Sequence, residues 1–332
     1  MSRRRCTAPV AVFLSALLAP GLSVAQQSSA DSGAPSLRTA WGDPDLQGVW
    51  NHGTATPLQR PEEYAGREFL TEEEIAQANL EATTFAESSR RSELTPERDV
   101  ALAYDQVWWD RGLSDGRTAL IVDPADGRLP PLSPEGEARL GSRQPGGGGG
   151  GRARTSNGPE DRNLWERCIT RVLPRLGGVY NNNFQLFQTP THVAILHEMV
   201  HETRVIPLDG TPHLDPGTRQ WLGDSRGRWE GDTLVVETMN FTDRTPYRGS
   251  TSDMRLVERF SRLDSGTLRY EVTVEDPATW TRPWTAALDM PMTEGVMYEY
   301  ACHEGNYGMV NLLRGARVEE GSMPPGAETG NP

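Results

Sequence analysis

Lysine is missing from this chain: all 33 basic residues are arginine. Schiff-base catalysis, a P-loop lysine and a Ser-Lys dyad are thereby excluded. Cysteine is almost as scarce, three in 332 residues. Long apolar runs are absent too, since the stretch around Ala8 to Leu22 is too short and too rich in Ala and Pro to span a bilayer. There is no excess of positive charge. A formal net charge of −13 argues against nucleic acid or anionic membranes as partners. Neither a G-x-S-x-G elbow nor a G-x-G-x-x-G after a strand occurs, and Asp209, Asp215 and Asp224 lack a calcium-loop spacing.

What is present begins with a targeting pattern. Arg3, Arg4 and Arg5 precede an apolar core, and Ser23-Val24-Ala25 before Gln26 is a good signal-peptidase site. Residues 1–25 therefore read as a signal peptide and 26–43 as a flexible leader, with export to the periplasm or the medium expected. Cys6 leaves with the signal, so Cys168 and Cys302 remain. In an oxidising compartment they most simply form one disulfide, worth about 4 kcal/mol for a loop of this length. A free nucleophilic Cys302 beside His303 is the alternative.

Residues 44–320 read as one domain and 321–332 as a disordered tail. Thr71-Glu72-Glu73-Glu74 is a capping box opening a helix to about Ser88. Arg117 to Val122 reads as a short strand, and Pro134 to Leu140 as one or two helical turns. Gly146 to Gly151 reads as a surface loop. The second half changes character. Residues 178–188, 192–199, 202–208, 219–229, 233–241, 254–263, 267–276, 280–290 and 296–301 are strand-like, with strong hairpin signals at Glu230-Gly231-Asp232 and Asp264-Ser265-Gly266. Leu268, Tyr270, Val272 and Val274 alternate with polar residues, as in half-buried antiparallel strands. The expected fold is mostly β, an antiparallel up-and-down lipocalin-like barrel with a helical, loop-rich insertion at about 60–175.

Gly48-x-Trp50 ahead of these hairpins is similar to lipocalin-like (calycin) barrels. Further pieces resemble a family of exported bacterial proteins known only as uncharacterised: Tyr180-Asn181-Asn182-Asn183, Trp229-Glu230-Gly231-Asp232-Thr233-Leu234 and Ala301-Cys302-His303-Glu304-Gly305-Asn306-Tyr307 among them. This resemblance covers about residues 44–320 and implies no activity.

The candidate chemistry centres on two motifs. His197-Glu198-Met199-Val200-His201 is H-E-x-x-H, which on a helix holds zinc between two imidazoles. Pro190, Pro207 and many β-branched residues favour a strand, on which His197 and His201 share a face roughly 13 Å apart, too far to share a metal. The second motif is Cys302-His303-Glu304, where His303 can carry protons near neutral pH. We expect a small-molecule-binding barrel with acid/base chemistry of lyase, isomerase or hydratase type on a partly apolar or aromatic molecule. His201 and His303 would carry protons and Glu198 and Glu304 would orient them. Arg204 would hold an anionic group, with Asn182, Asp224, Trp229 and Tyr307 completing the binding set. A metal-dependent hydrolase using His197 and His201 is one alternative, and a non-catalytic binding protein is another. No cofactor is expected, zinc entering only under the hydrolase reading. The partner is a small molecule, without membrane insertion, and the sequence leaves the oligomeric state open.

Overall fold

Alternation of buried and exposed side chains along the second half organises the molecule. In β8 (Arg255–Arg262), Leu256, Glu258 and Phe260 are buried while their neighbours are partly exposed, and β9 (Thr267–Glu275) repeats this with Leu268, Tyr270, Val272 and Val274. Such period-2 burial commits one face of each strand to a common core. In the computed structural model the described residues are 37–87, 95, 109–141, 156–178, 180–304 and 306–322. The chain divides into Met1–Pro35 and Ser36–Pro332, and everything below concerns the second unit. The expected signal peptide, most of the leader, the glycine loop and the tail beyond Ser322 lie outside the described residues.

Two antiparallel sheets carry the fold. The smaller contains β1 (Gly48–Asn51), β3 (Asn183–Gln188), β4 (His192–His197) and β5 (Thr203–Pro207), in that order. The larger runs β2 (Ile121–Asp123), β10 (Trp284–Pro291), β9, β8, β7 (Thr233–Met239), β6 (Asp224–Glu230). Successive strands of the second half are therefore neighbours, as hairpin signals predict. At Glu230-Gly231-Asp232-Thr233 the two-residue loop places Gly231 at φ +61°, a conformation glycine adopts without a Cβ clash. Mostly-β architecture is thus seen. The sheets approach each other at two seams. At one, Trp50 and Met292 form an isolated bridge, and at the other β5 lies beside β6 without a ladder.

One apolar core fills the space between the sheets, with Trp50, Leu186, Ile195, Leu234, Leu256, Val272 and Trp284 fully buried. Each such side chain contributes about 1.5–3 kcal/mol. Trp50 of the Gly48-x-Trp50 motif donates its indole N–H to the Leu46 carbonyl at 3.0 Å, under the Arg262 guanidinium 5.0 Å from its ring centre.

Helices are three among the described residues. In α1 (Glu72–Glu87) the capping box forms as expected: Thr71 N–H donates to Glu74 at 2.8 Å and Glu74 N–H to the Thr71 hydroxyl at 3.3 Å. Ser133 and Pro134 start α2 (Pro134–Gly141), Ser133 accepting from Gly136 N–H at 2.9 Å. No described helix is long and apolar enough to cross a membrane.

Three expectations change. Residues 296–301 are not a strand, because the β10 edge they would need already pairs with β2, from within the insertion. Val296 and Tyr298 are left exposed. A third helix, α3 (Tyr307–Glu319), follows, capped by Asn306, which accepts from Met309 N–H at 3.2 Å. Finally, H-E-x-x-H is neither helix nor continuous strand. β4 ends at His197, and a tight turn with Val200 at φ 66° and His201 at φ 44° leads into β5. His197 is therefore buried and His201 exposed, rather than both on one strand face.

Candidate functional site

Inward strand parity brings charged groups into the apolar core. On β5, Arg204 occupies a buried position between Glu202 and Ile206; on β8, Glu258 sits between Leu256 and Phe260. These two meet across the core in a two-pronged ion pair, with Arg204 Nη2 3.0 Å from Glu258 Oε1 and Nη1 on Oε2. Tyr270 of β9 donates its hydroxyl to the same carboxylate at 2.9 Å. The pair thus links the small sheet to the large one. Burial works against the Arg204 charge, but Glu258 raises its pKa overall, while burial and then Glu258 push the Tyr270 phenol well up. A guanidinium held by a carboxylate and a phenol is rigid as well as charged.

Beside this pair stand two imidazoles. His197 ends β4 facing inward, and its ring lies 6.4 Å from the His52 ring, edge to face, and 5.8 Å from Phe184. Both Nδ1 and Nε2 of His197 and Nδ1 of His52 are buried without a hydrogen-bond partner among the described residues. Burial first, then Arg175, lowers His52 to about 3 and carries His197 well below the usual imidazole range. Both rings are neutral at pH 7. Arg175 completes the set, in contact with Glu202. Burial, then Arg171 and Arg204, lowers its pKa to about 9, which leaves it cationic at neutral pH. Arg175 Nε, Arg204 Nε and Glu202 Oε2 also lack partners.

His52, Arg175, His197, Arg204, Glu258 and Tyr270 line a cavity of about 20 Å³, walled also by Leu173, Phe184, Ile195, Phe260 and Met290. That is room for about one water-sized group. A buried polar atom without a partner costs about 1–3 kcal/mol, so several around one cavity mark a place built to be filled. Chemically, the cavity offers guanidinium N–H donors and neutral imidazole nitrogens that can accept a proton.

Of the residues expected from sequence, Arg204 belongs to this cavity, and so does His197, expected only as an alternative metal ligand. Asn182 supports it: its carbonyl accepts His52 N–H at 2.9 Å and its amide donates to the Asp110 carbonyl at 2.6 Å. His201 and His303 come together elsewhere, on the surface, with ring centres 5.7 Å apart and His201 Nδ1 2.9 Å from the Tyr300 carbonyl. Beside them Cys168 and Cys302 form the expected disulfide. Glu198 is engaged by Asn181 at 3.0 Å and by the Asn183 amide at 2.9 Å, and Glu304 is exposed. Tyr307, 71% exposed, starts α3. Asp224 accepts from His213 (2.9 Å), Leu214 N–H (2.9 Å) and Arg226 (2.6 Å), which makes it a tie at the start of β6. Trp229 packs against the core from β6.

His52, Arg175, Glu202, Glu258 and Tyr270 were not foreseen. For Glu258 and Tyr270 a signal existed, since each occupies an inward parity position among apolar residues. His52 and Arg175 lie in irregular segments and carry no such signal. No group of three or more His, Cys, Asp or Glu arranged to hold a metal ion occurs among the described residues. No family model, curated protein or solved structure matches the chain.

Proposed function

We propose that this is an exported small-molecule-binding protein, its two sheets forming a flattened lipocalin-like barrel, which takes the anionic group of its ligand into the His52–His197–Arg175–Arg204 cavity. The observation that carries this reading is the set of buried, unpartnered polar atoms on that one cavity. Two guanidinium groups, Arg175 and Arg204, line the cavity and offer an anion N–H donors, each already in contact with one carboxylate, Glu202 and Glu258 respectively. The strand order, the buried Trp50 and the seam bridge at Met292 favour the barrel. Export rests on the signal-like N-terminus, the resemblance to exported bacterial proteins and the disulfide, which persists in oxidising compartments.

On the bound anion we infer acid/base chemistry of the lyase, isomerase or hydratase kind. Burial alone makes these imidazoles weak bases, but a bound anion would raise their pKa back toward neutral, and His197 offers both nitrogens. Arg175 and Arg204 would stabilise the negative charge that develops when a proton leaves the ligand. Arg204 keeps its expected binding role here and Asn182 moves from binding to support, whereas the proton carriers shift from His201 and His303 to His197 and His52.

Calorimetric titration with octanoate and octanamide tests the binding claim. Octanoate is expected to bind at least about tenfold more tightly, the worth of a charge-assisted hydrogen bond at a buried site. Equal affinity for the neutral amide sinks the reading. The chemistry is tested on a panel of unsaturated and hydroxy acids: any turnover found must disappear in His197→Phe, and its survival would refute an imidazole base in the cavity.

A further inference from the structure

The interior cavity has room for about one water-sized group, such as a single carboxylate oxygen, so most of an organic ligand must lie outside it. The structure offers one continuation. Where β5 lies beside β6 without a ladder, a cleft of about 610 Å³ opens. This volume is typical of sites for small organic molecules, about 300–1,000 Å³. Arg204 lines both the cleft and the interior cavity. Glu202, with its buried unpartnered Oε2, also lines the cleft. The remaining wall is mixed: Ile169, Val205, Trp221 and Leu222 supply apolar surface, and Thr170, Thr203, Arg219, Gln220, Asp224, Ser225 and Thr242 are polar. Val205 is 59% exposed and Trp221 36% exposed, so the cleft presents uncovered apolar surface directly above a buried guanidinium.

The absence of a ladder has a chemical consequence. In a sheet, paired N–H and C=O groups close the gap between strands at about 4.8 Å, and nothing larger than a proton passes. At the β5–β6 seam no backbone ladder sets such a barrier, and Arg204 is the residue that the cleft and the interior cavity share. A molecule with an anionic head and an apolar body fits this arrangement at both ends. Its head meets Arg204, Arg175 and the two imidazoles, while its body covers Val205 and Trp221.

We propose that the β5–β6 cleft is the second half of the ligand site, and that the ligand class is an amphipathic carboxylate whose acyl chain or aromatic ring lies in this cleft. This rests on the anion-binding reading of the interior cavity. It adds the size and polarity of the ligand, and the side from which it enters.

The test compares acetate with octanoate by calorimetry on the full-length protein and on the Val205→Ser/Trp221→Ala variant. Both positions are exposed, so the fold should tolerate the changes, and the melting temperature checks this. Wild-type protein is expected to prefer octanoate by at least about tenfold, because each buried methylene strengthens binding severalfold. The variant should lose most of that preference, with acetate affinity kept within about twofold. Trp221→Phe should restore it. Equal affinities for the two acids in wild-type protein, or an unchanged preference in the variant, overturn the cleft proposal and leave the interior anion site standing. Failure of wild-type protein to bind either acid removes both.

Discussion

Two histidine pairs in this molecule can be set side by side. His201 and His303 sit on the surface by the disulfide, 5.7 Å apart, exposed, with His201 Nδ1 beside a main-chain carbonyl. His52 and His197 sit in the core, 6.4 Å apart, with three of their ring nitrogens buried and unpartnered. The first pair belongs to conspicuous motifs and the second is split between an irregular segment and the end of a strand. Yet solvent already reaches the first pair, so its polar atoms need no partner from the protein. In the second pair every proton, charge and missing partner is felt at low dielectric. Difference in environment, not in residue type, makes the interior pair the better candidate for binding and chemistry.

The largest effect expected on this comparison comes from the ion pair that supports the interior. Glu258→Gln should lower stability by about 3–5 kcal/mol by leaving Arg204 buried without its countercharge. Arg204→Met/Glu258→Met should regain most of that loss. Urea unfolding of the three proteins checks it, and a Glu258→Gln change below about 1 kcal/mol would mean that Arg204 reaches solvent through the cleft.

Acid should act next, on the interior pair. The folded-state pKa of His52 lies near 3 and that of His197 well below its ordinary value, whereas both titrate near 6.5 when unfolded. Between those values the unfolded chain binds more protons. Stability from burying neutral rings is therefore complete above about pH 6.5 and declines as pH falls toward 3, by up to about 1.4 kcal/mol per pH unit per imidazole. Denaturation at pH 7 and pH 5 measures the slope. His197→Phe should reduce it. A smaller effect is expected at the surface pair itself: His201→Ala/His303→Ala should change stability by less than about 0.5 kcal/mol and leave octanoate affinity unaltered. A large loss of affinity there would return the site to the surface motif.

Much of the fold is legible in the sequence, for reasons that particular elements show. Hairpins at Gly231 and Gly266 announce themselves because short loops restrict the residues allowed, and β9 shows its inward face residue by residue. The capping box at Thr71 is equally local. What is not local is harder to read. Val296 to Ala301 has strand composition but no strand, since β2 arrives from far along the chain to occupy the edge of β10. The site divides the same way. Arg204, Glu258 and Tyr270 are polar residues at inward parity, a signal visible without coordinates. His52 and Arg175 reach the cavity from irregular segments, and only tertiary packing places them there. H-E-x-x-H misleads because its five letters straddle a turn: positive φ at Val200 and His201 sends one imidazole inward and leaves the other outside.

His197→Phe tests the central claim most directly, with melting temperature and octanoate affinity measured on the same sample. His197 lies against Phe184 with both ring nitrogens unpartnered, so an apolar ring removes a desolvation cost of about 1–3 kcal/mol. A group kept for binding at the expense of stability should show that trade. The variant is expected to melt higher than wild type at pH 7 and to bind octanoate at least about tenfold more weakly. A lower melting temperature with undiminished octanoate affinity would contradict it, making His197 a structural residue and the interior cluster no ligand site.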